Sequence, residues 1–411
     1  MRARLVACLA LLLLVPRPGL AAEPKLPNLA LESYRLPNGL KVALHRDATV
    51  PRVTVCVAYH VGSKNERAGR TGFAHFFEHM MFRGTQHVPN YDLPLHETGA
   101  QTNATTSEDM TIYFETVPSN YLERALYLEA ERLAFLPFAL NREKFDTERE
   151  VVKNERRQSL ENVPYGLAEE TLLAHVFPKG HPYSWSVIGS MKDLDAATLE
   201  DLKQFFAEFY HVGNATLCLA GDFDPAQAKA WIETYFGPLQ PGPAPRKVEV
   251  PREPSRQEAR RLEQFDDVQL PRVYWAWPTV ADKHPDAPAL DLLAKVLAGG
   301  DASRLHKALV LNKRLATEVS ARSDTKEIAG LFVLDATADE GKSIAEIEPV
   351  LAEEIERLRR EPPTAEEVTR AQAKFEKMVF GALTSPLNRA FTLAVGFAEY
   401  DDPAYYRRDF A

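Results

Sequence analysis

Two histidines and one glutamate lie close together in the segment His75-Phe76-Phe77-Glu78-His79. On an α-helix, residues four positions apart lie one turn above each other and about 40° apart around the axis, so both imidazoles could reach one metal ion. Two neutral nitrogen ligands beside a carboxylate are the components of a zinc site that activates water. The order H-x-x-E-H inverts the commoner H-E-x-x-H motif and is itself a protease signature. The segment therefore predicts a metal-dependent hydrolytic site.

The residues around this motif predict a buried helix. Thr71 is of a residue type that caps helices, so we expect the helix to begin there. Apolar residues occupy most of its sides: Phe73, Phe76, Phe77, Met80, Met81 and Phe82. Buried imidazoles and a buried carboxylate are costly unless they are hydrogen-bonded or bound to metal. The alternative is a pair of core histidines with satisfied hydrogen bonds, and we favour the metal site.

A catalytic zinc needs a third protein ligand, because such sites keep three protein ligands and one open position. The acidic segment 142–161 is the expected source. Glu148 and Glu155 lie seven residues apart in it, two helical turns, so both can face one groove. Phe145, Val151 and Val152 mark its expected buried side. The alternative is a solvated helix with charge pairs on its surface, and the pattern alone leaves the choice of Glu155 open.

With these residues in place, the chain resembles the pitrilysin/insulinase family of zinc peptidases, which includes mitochondrial processing peptidase and many bacterial homologues. The similar segments keep the family's order and spacing; they are residues 34–40, 72–85, 99–106, 214–217 and 221–223. The resemblance implies that Glu155 is the third metal ligand and Glu148 a supporting acid outside the ligand shell. It also implies that Asn103 and Ala104 belong to an edge strand that binds peptide substrate through main-chain hydrogen bonds.

The expected activity is zinc-dependent endopeptidase activity, with one Zn²⁺ per chain held by His75, His79 and Glu155. In this hypothesis Glu78 is the general base. The alternatives are a non-catalytic subunit of a peptidase complex and a module that only binds peptides. A peptide assay with and without chelator separates the peptide-binding module from the enzyme.

The resemblance also implies a partner. Many family members close the site with an Arg and a Tyr seven residues apart in the second or partner half. The corresponding positions here are Val310 and Thr317. We therefore expect a homologous subunit that supplies this pair in a heterodimer, with a homodimer as the alternative.

Composition indicates an exported protein, periplasmic or extracellular. Residues 1–22 have the basic start, apolar run and small-residue cleavage zone of a signal peptide. Loss of its three arginines would take the formal charge from −9 to about −12, which argues against a nucleic-acid partner. This apolar run is too short for a membrane span, and no other segment approaches that length. Cys56 and Cys218 would remain, which we expect to be buried, with a bridge possible in an oxidising compartment.

The order of elements predicts an α+β protein with two homologous domains, each a mixed, largely antiparallel sheet with helices packed on it. We expect a metallopeptidase domain at residues 27–237, a proline-rich linker at 238–256 and a non-catalytic domain at 257–411. In the second domain, residues 290–295 correspond to the metal motif but carry no ligands. The end at Ala411 predicts that this domain is shortened.

Overall fold

The structure, a computed structural model, describes residues 26–251 and 259–408. The predicted signal peptide at residues 1–22, the linker residues 252–256 and the chain end at Ala411 lie outside these ranges. The chain divides into two units. We call residues 26–174, 178–251 and 379–408 the larger unit, and residues 175–177 and 259–378 the smaller unit. Within the described ranges, no helix is long and apolar enough to cross a bilayer.

The larger unit contains a six-stranded mixed sheet in the order β1-β2-β6-β3-β5-β4. Only β2 and β6 pair in parallel, and the other neighbours are antiparallel, as expected from the sequence. Strand β4 forms an edge of this sheet. The strands are β1 (Glu32–Arg35), β2 (Lys41–Arg46), β3 (Arg52–Tyr59), β4 (Gln101–Thr106), β5 (Thr111–Pro118) and β6 (Ala215–Gly221).

The central strands are apolar on both faces because both faces are covered. On β3, Val53, Val55 and Val57 point into the main core, whereas Cys56 and Ala58 point into a second cluster on the opposite face. Helices follow and separate the strands: α1 (Phe73–Met80), α2 (Leu93–His96), α3 (Leu122–Ala139), α4 (Arg142–Arg156), α5 (Ala168–Val176), α6 (Met191–Ala196), α7 (Leu199–Phe209) and α8 (Pro225–Phe236). A π-helical turn, Arg157–Glu161, continues α4.

The smaller unit has its own three-stranded antiparallel sheet, in the order β7-β9-β8. Trp275 and Trp277 are partly buried and pack against the core of this unit. Its elements are β7 (Arg272–Thr279), α9 (Ala287–Ala298), β8 (Ala316–Thr325), β9 (Gly330–Ala338) and α10 (Ile344–Arg360), and α11 (Ala365–Ala382) follows them.

The last long helix, α12 (Pro386–Tyr400), packs on the second face of the six-stranded sheet. The sequence-based division had placed residues 379–408 in the second domain, whereas the structure groups them with the larger unit. Leu393 and Phe397 of α12 are buried there against small side chains of β2, β3 and β6, namely Ala43, Ala58, Cys56, Cys218 and Ala220. Cys56 and Cys218 lie directly opposite each other on β3 and β6 and are buried free thiols.

Gly72, and not Thr71, is the N-cap of helix α1, so the predicted N-cap is wrong. The Thr71 hydroxyl donates instead to Asp193, at 2.7 Å. The buried carboxylate of Glu66 takes over the capping role, because it accepts hydrogen bonds from the backbone N–H groups of Gly72 at 2.9 Å and Ala74 at 2.8 Å. Gly72 has φ of 89°, and a Cβ there would lie 2.5 Å from the carbonyl oxygen of Ile188.

This cap predicts a pH-dependent stability. Burial raises the pKa of Glu66 to about 8, although its backbone donors act in the opposite direction. Between pH 5 and 8 the unfolded chain has released this proton and the folded chain still holds it, so folding stability falls as pH rises. The loss is on the order of 4 kcal/mol if the whole shift is expressed.

The measurement is the free energy of unfolding of the wild type and of Glu66→Gln between pH 5 and pH 8. The variant cannot titrate at this position, so its stability should fall less over this interval than that of the wild type. Parallel curves for the two proteins would contradict the assignment.

Candidate metal centre

Helix α1 holds the two histidines of the motif on one face. Phe76 and Phe77 are fully buried and fix the rotation of the helix, since Phe76 packs on Phe145 of α4 and Phe77 on Tyr210, with ring centroids 5.1 and 4.3 Å apart. The rings of His75 and His79 lie one turn apart, with centroids 4.7 Å from each other. Apolar packing on the other sides therefore directs both imidazoles toward α4.

Helix α4 brings Glu155 to these imidazoles. Its Oε1 lies 3.7 Å from Nε2 of His75, and its Oε2 lies 3.1 Å from Nε2 of His79. One ligand atom from each of the three residues lies within 4.8 Å of the other two. The buried stripe of α4 is Phe145, Glu148, Val152 and Arg156, whereas Val151, expected on the buried side, is 39% exposed. Glu155 lies beside this stripe, where it can reach the site while half-buried.

Glu148 contacts the same site from behind His79. Nδ1 of His79 lies 2.9 Å from Oε1 of Glu148, and the other oxygen of Glu148 forms an ion pair with Arg83. A carboxylate on the second ring nitrogen fixes the tautomer and the orientation of a histidine ligand. Glu148 is almost fully buried, and Arg83 compensates its charge.

Each of these groups shifts the pKa of its neighbours. Burial and the neighbouring His79 lower the pKa of His75 to about 4. Burial also lowers the pKa of His79, but its hydrogen bonds to Glu148 and Glu155 outweigh this effect and raise the pKa to about 9. The hydrogen bond from His79 holds the pKa of Glu155 below its ordinary value. His75 is therefore a neutral imidazole near pH 7, and a proton on His79 lies between the histidine and Glu155.

These residues fit a divalent metal ion such as zinc. Two imidazole nitrogens and one carboxylate are a donor set that zinc uses in catalytic sites. The proton between His79 and Glu155 lies where a cation would be stabilised by the same carboxylate, so metal binding would displace it. In the described part of the chain, His75, His79 and Glu155 form the one such cluster.

Glu78 lies on α1 next to His79 and is largely buried. The hydroxyl of Thr106, at the end of β4, donates a hydrogen bond to its Oε2. Burial raises the pKa of Glu78 above the ordinary range, while the hydrogen bond from Thr106 acts in the opposite direction. A carboxylate with a raised pKa beside two potential metal ligands has the properties of a proton acceptor that can later return the proton.

Asn103 and Ala104 lie on the edge strand β4, next to a cavity of about 420 Å³. Asn103 is exposed, and its side-chain oxygen accepts a hydrogen bond from the backbone N–H of Ala104. The cavity is lined by Glu78, His79, Phe82, Arg83, Asp92, His96, Thr102, Asn103 and Glu148. The structure thus places the predicted substrate strand beside the predicted metal site.

Thr106 and Arg83, which contact Glu78 and Glu148, were not among the predicted site residues. Thr106 could have been found by the period of two along a strand, because it lies on the same face as Ala104. Arg83 follows His79 by four residues, so a helical register places it near the same groove. Neither position is distinguished by its residue type alone.

Comparison with known proteins gives a consistent result across the chain. The profile described as "Insulinase (Peptidase family M16)" matches residues 41–186, which include the H-x-x-E-H motif and Glu155. The profile described as "Peptidase M16 inactive domain" matches residues 196–375. The two profiles therefore cover most of both halves of the chain.

Individual relatives agree with these profiles. A zinc protease, PqqE, of Helicobacter pylori is 30% identical over 405 residues, 97% of this chain and 88% of that protein. A probable mitochondrial-processing peptidase subunit beta of Schizosaccharomyces pombe is 25% identical over 314 residues, 75% of this chain and 66% of that protein. The crystal structure of a protease from Helicobacter pylori aligns with a TM-score of 0.85 and 29% identity, and covers 93% of both chains. The resemblance noted in the sequence is confirmed: the chain belongs to the insulinase family of peptidases, peptidase family M16.

Proposed function

We propose that this protein is a zinc-dependent endopeptidase that hydrolyses peptides or extended segments of unfolded proteins. The observation that carries the proposal is the convergence of His75, His79 and Glu155, with ligand atoms within 4.8 Å of one another. Glu78 lies beside this cluster on the same helix. Membership in a peptidase family supports the same reaction.

Each residue has one role in this mechanism. His75, His79 and Glu155 would hold a zinc ion, which when bound supplies Lewis acidity for the attacking water and the scissile carbonyl. Glu78 accepts the proton of the attacking water and delivers it to the leaving amine. Glu148 holds Nδ1 of His79, so that Nε2 stays directed at the metal position.

The substrate peptide would bind along β4. This strand is an edge of the six-stranded sheet, and an extended peptide can add to such an edge through main-chain hydrogen bonds. Asn103 and Ala104 lie on it beside the cavity that Glu78 and His79 line. The edge position supports binding of unfolded or extended segments, because a folded substrate offers few free main-chain groups.

We further propose that the enzyme is exported and works with a homologous subunit. Export is inferred from residues 1–22 of the sequence. The need for a subunit is inferred from Val310 and Thr317, which occupy the positions where the family resemblance expects Arg and Tyr. The Schizosaccharomyces pombe relative is itself named as a subunit. A homodimer is the alternative.

The role of Glu78 is tested by Glu78→Gln, which keeps the shape of the side chain but removes the proton acceptor. We expect hydrolysis of an extended fluorogenic peptide to fall by about 10² to 10⁴-fold, with zinc content unchanged. Glu143→Gln, an exposed acid at the start of α4, is the matched control and should keep full activity. Activity retained in Glu78→Gln would refute the assigned role. Absence of chelator-sensitive hydrolysis from the wild-type protein purified together with its homologous subunit would favour the non-catalytic subunit.

Glu155 is tested as a ligand by Glu155→Gln. The amide is a weaker zinc ligand than the carboxylate, so the chain should lose most of its bound zinc after dialysis against a dilute chelator. Metal analysis of the purified protein gives the stoichiometry, with one Zn²⁺ per chain expected for the wild type. Unchanged zinc content in the variant would exclude Glu155 from the ligand set.

Glu148→Gln separates the supporting acid from the ligands. It weakens the hydrogen bond to Nδ1 of His79 and leaves the charge of Arg83 without its partner. We expect zinc affinity to fall about 10- to 100-fold while one site per chain remains, measured by competition with a chromogenic chelator. Complete loss of the site, as expected for Glu155→Gln, would make Glu148 a ligand instead.

A further inference from the structure

We propose that Thr106 is a positioning residue that holds the Glu78 carboxylate in the orientation required for proton transfer. Its hydroxyl donates a hydrogen bond to Oε2 of Glu78. The inference rests on the proposed function, in which Glu78 is the general base. It adds a residue on a different element, β4, to a site otherwise built from α1 and α4.

Glu78 needs such a partner because the helix backbone does not fix its carboxylate. A glutamate has three side-chain torsions, and the last of them is broad and roughly two-fold. A hydrogen bond to Oε2 selects one orientation and leaves Oε1 as the oxygen that can accept a proton. The distance and angle between base and water decide the rate of proton transfer, so misorientation of this carboxylate lowers turnover directly.

Thr106 is itself held in place. A β-branched side chain has few χ1 rotamers, and the backbone of Thr106 pairs with Thr111 of β5. The turn that follows is closed by a hydrogen bond from the N–H of Ser107 to the carbonyl of Met110, at 2.8 Å.

The loop after β3 also binds this turn. The N–H of Lys64 donates to the carbonyl of Glu108 at 2.9 Å, and the N–H of Ser63 donates to that of Ser107 at 3.2 Å. Gly62 allows this close approach, since a Cβ there would lie 2.4 Å from the carbonyl oxygen of Glu108. Thr106 therefore lies at the end of β4 that is held in place by the turn to β5 and by the loop after β3.

The position of Thr106 also connects the base to the substrate. Thr106 lies two residues after Ala104 on the strand along which the peptide is proposed to bind. Because one strand would hold both the peptide main chain and the base, a shift of that strand moves both together. This arrangement keeps the scissile bond and Glu78 in register, which a partner for Glu78 on another element would not do.

The test compares Thr106→Val and Thr106→Ser in the full chain loaded with zinc and purified together with its homologous subunit. Valine keeps the β-branched shape but has no hydroxyl, so kcat should fall about 10- to 100-fold, with KM within about twofold and zinc content unchanged. Serine restores the donor and should return kcat to within about threefold of the wild type. A purely structural role would instead lower stability and leave kcat of the folded protein unchanged.

Thr116→Val is the matched control, because it also removes a threonine hydroxyl from the same sheet. Thr116 lies on β5 and its hydroxyl is 2.8 Å from that of Thr54, so its loss should cost stability but not kcat. Equal kcat values for the wild type and Thr106→Val would overturn the proposal. So would a loss of kcat in Thr106→Ser as large as that in the valine variant.

A second readout does not require activity. Crystal structures of the metal-free wild type and of Thr106→Val should show one ordered Glu78 carboxylate in the wild type and several orientations in the variant. If the wild type cleaves no peptide even together with its homologous subunit, but its Glu78 is ordered by Thr106, the proposed function fails and the positioning role stands. If Glu78 has the same single orientation in both crystals, the positioning role is wrong whatever the activity.

Discussion

The site depends on the burial of α1, because every polar group on a buried helix needs a partner. Phe76 and Phe77 supply the apolar contacts, and two ionisable groups of the same helix, Glu78 and His79, have hydrogen-bond partners on other elements. His79 is hydrogen-bonded to Glu148 of α4, and Glu78 is hydrogen-bonded to Thr106 of β4. The interactions that make the burial tolerable are therefore the ones that orient the side chains.

The charges in this arrangement need compensation. Glu148 is buried beside His79 and is neutralised by Arg83, while Glu155 remains half-exposed and accepts a hydrogen bond from His79. Without a cation, the protonated imidazole ring of His79 lies between the carboxylates of Glu148 and Glu155, which is why the pKa of His79 is raised to about 9. A divalent ion would carry more positive charge than the proton that it displaces from His79. The same carboxylates that raise the pKa of His79 therefore favour metal binding.

Residue patterns predicted the elements well and the contacts between them poorly. The motif helix, the acidic helix and the central strands follow from periodicity and from five adjacent residues. Glu155 needed the family resemblance, because several acids share its helix. For Thr106 and Arg83 the sequence periods give only a face and not a contact, since their roles depend on how β4 and α4 pack against α1. The same limit explains the wrong cap at Thr71, where the true acceptor, Glu66, comes from a preceding loop. The same limit explains why the sequence did not predict the packing of α12 on the six-stranded sheet.

The composition of β4 fits a strand that stays open at the edge of its sheet. An exposed edge presents unpaired N–H and C=O groups and risks pairing with other chains, a risk that is greatest for apolar edges. Strand β4 reads Gln-Thr-Asn-Ala-Thr-Thr and is short, so it offers main-chain groups without an apolar surface that would promote aggregation. Its other edge is paired with β5, and its last side chain contacts Glu78. The same strand therefore provides the edge to which a peptide can add and the hydroxyl that contacts the proposed base. This explains why an edge strand lies beside the histidines of α1.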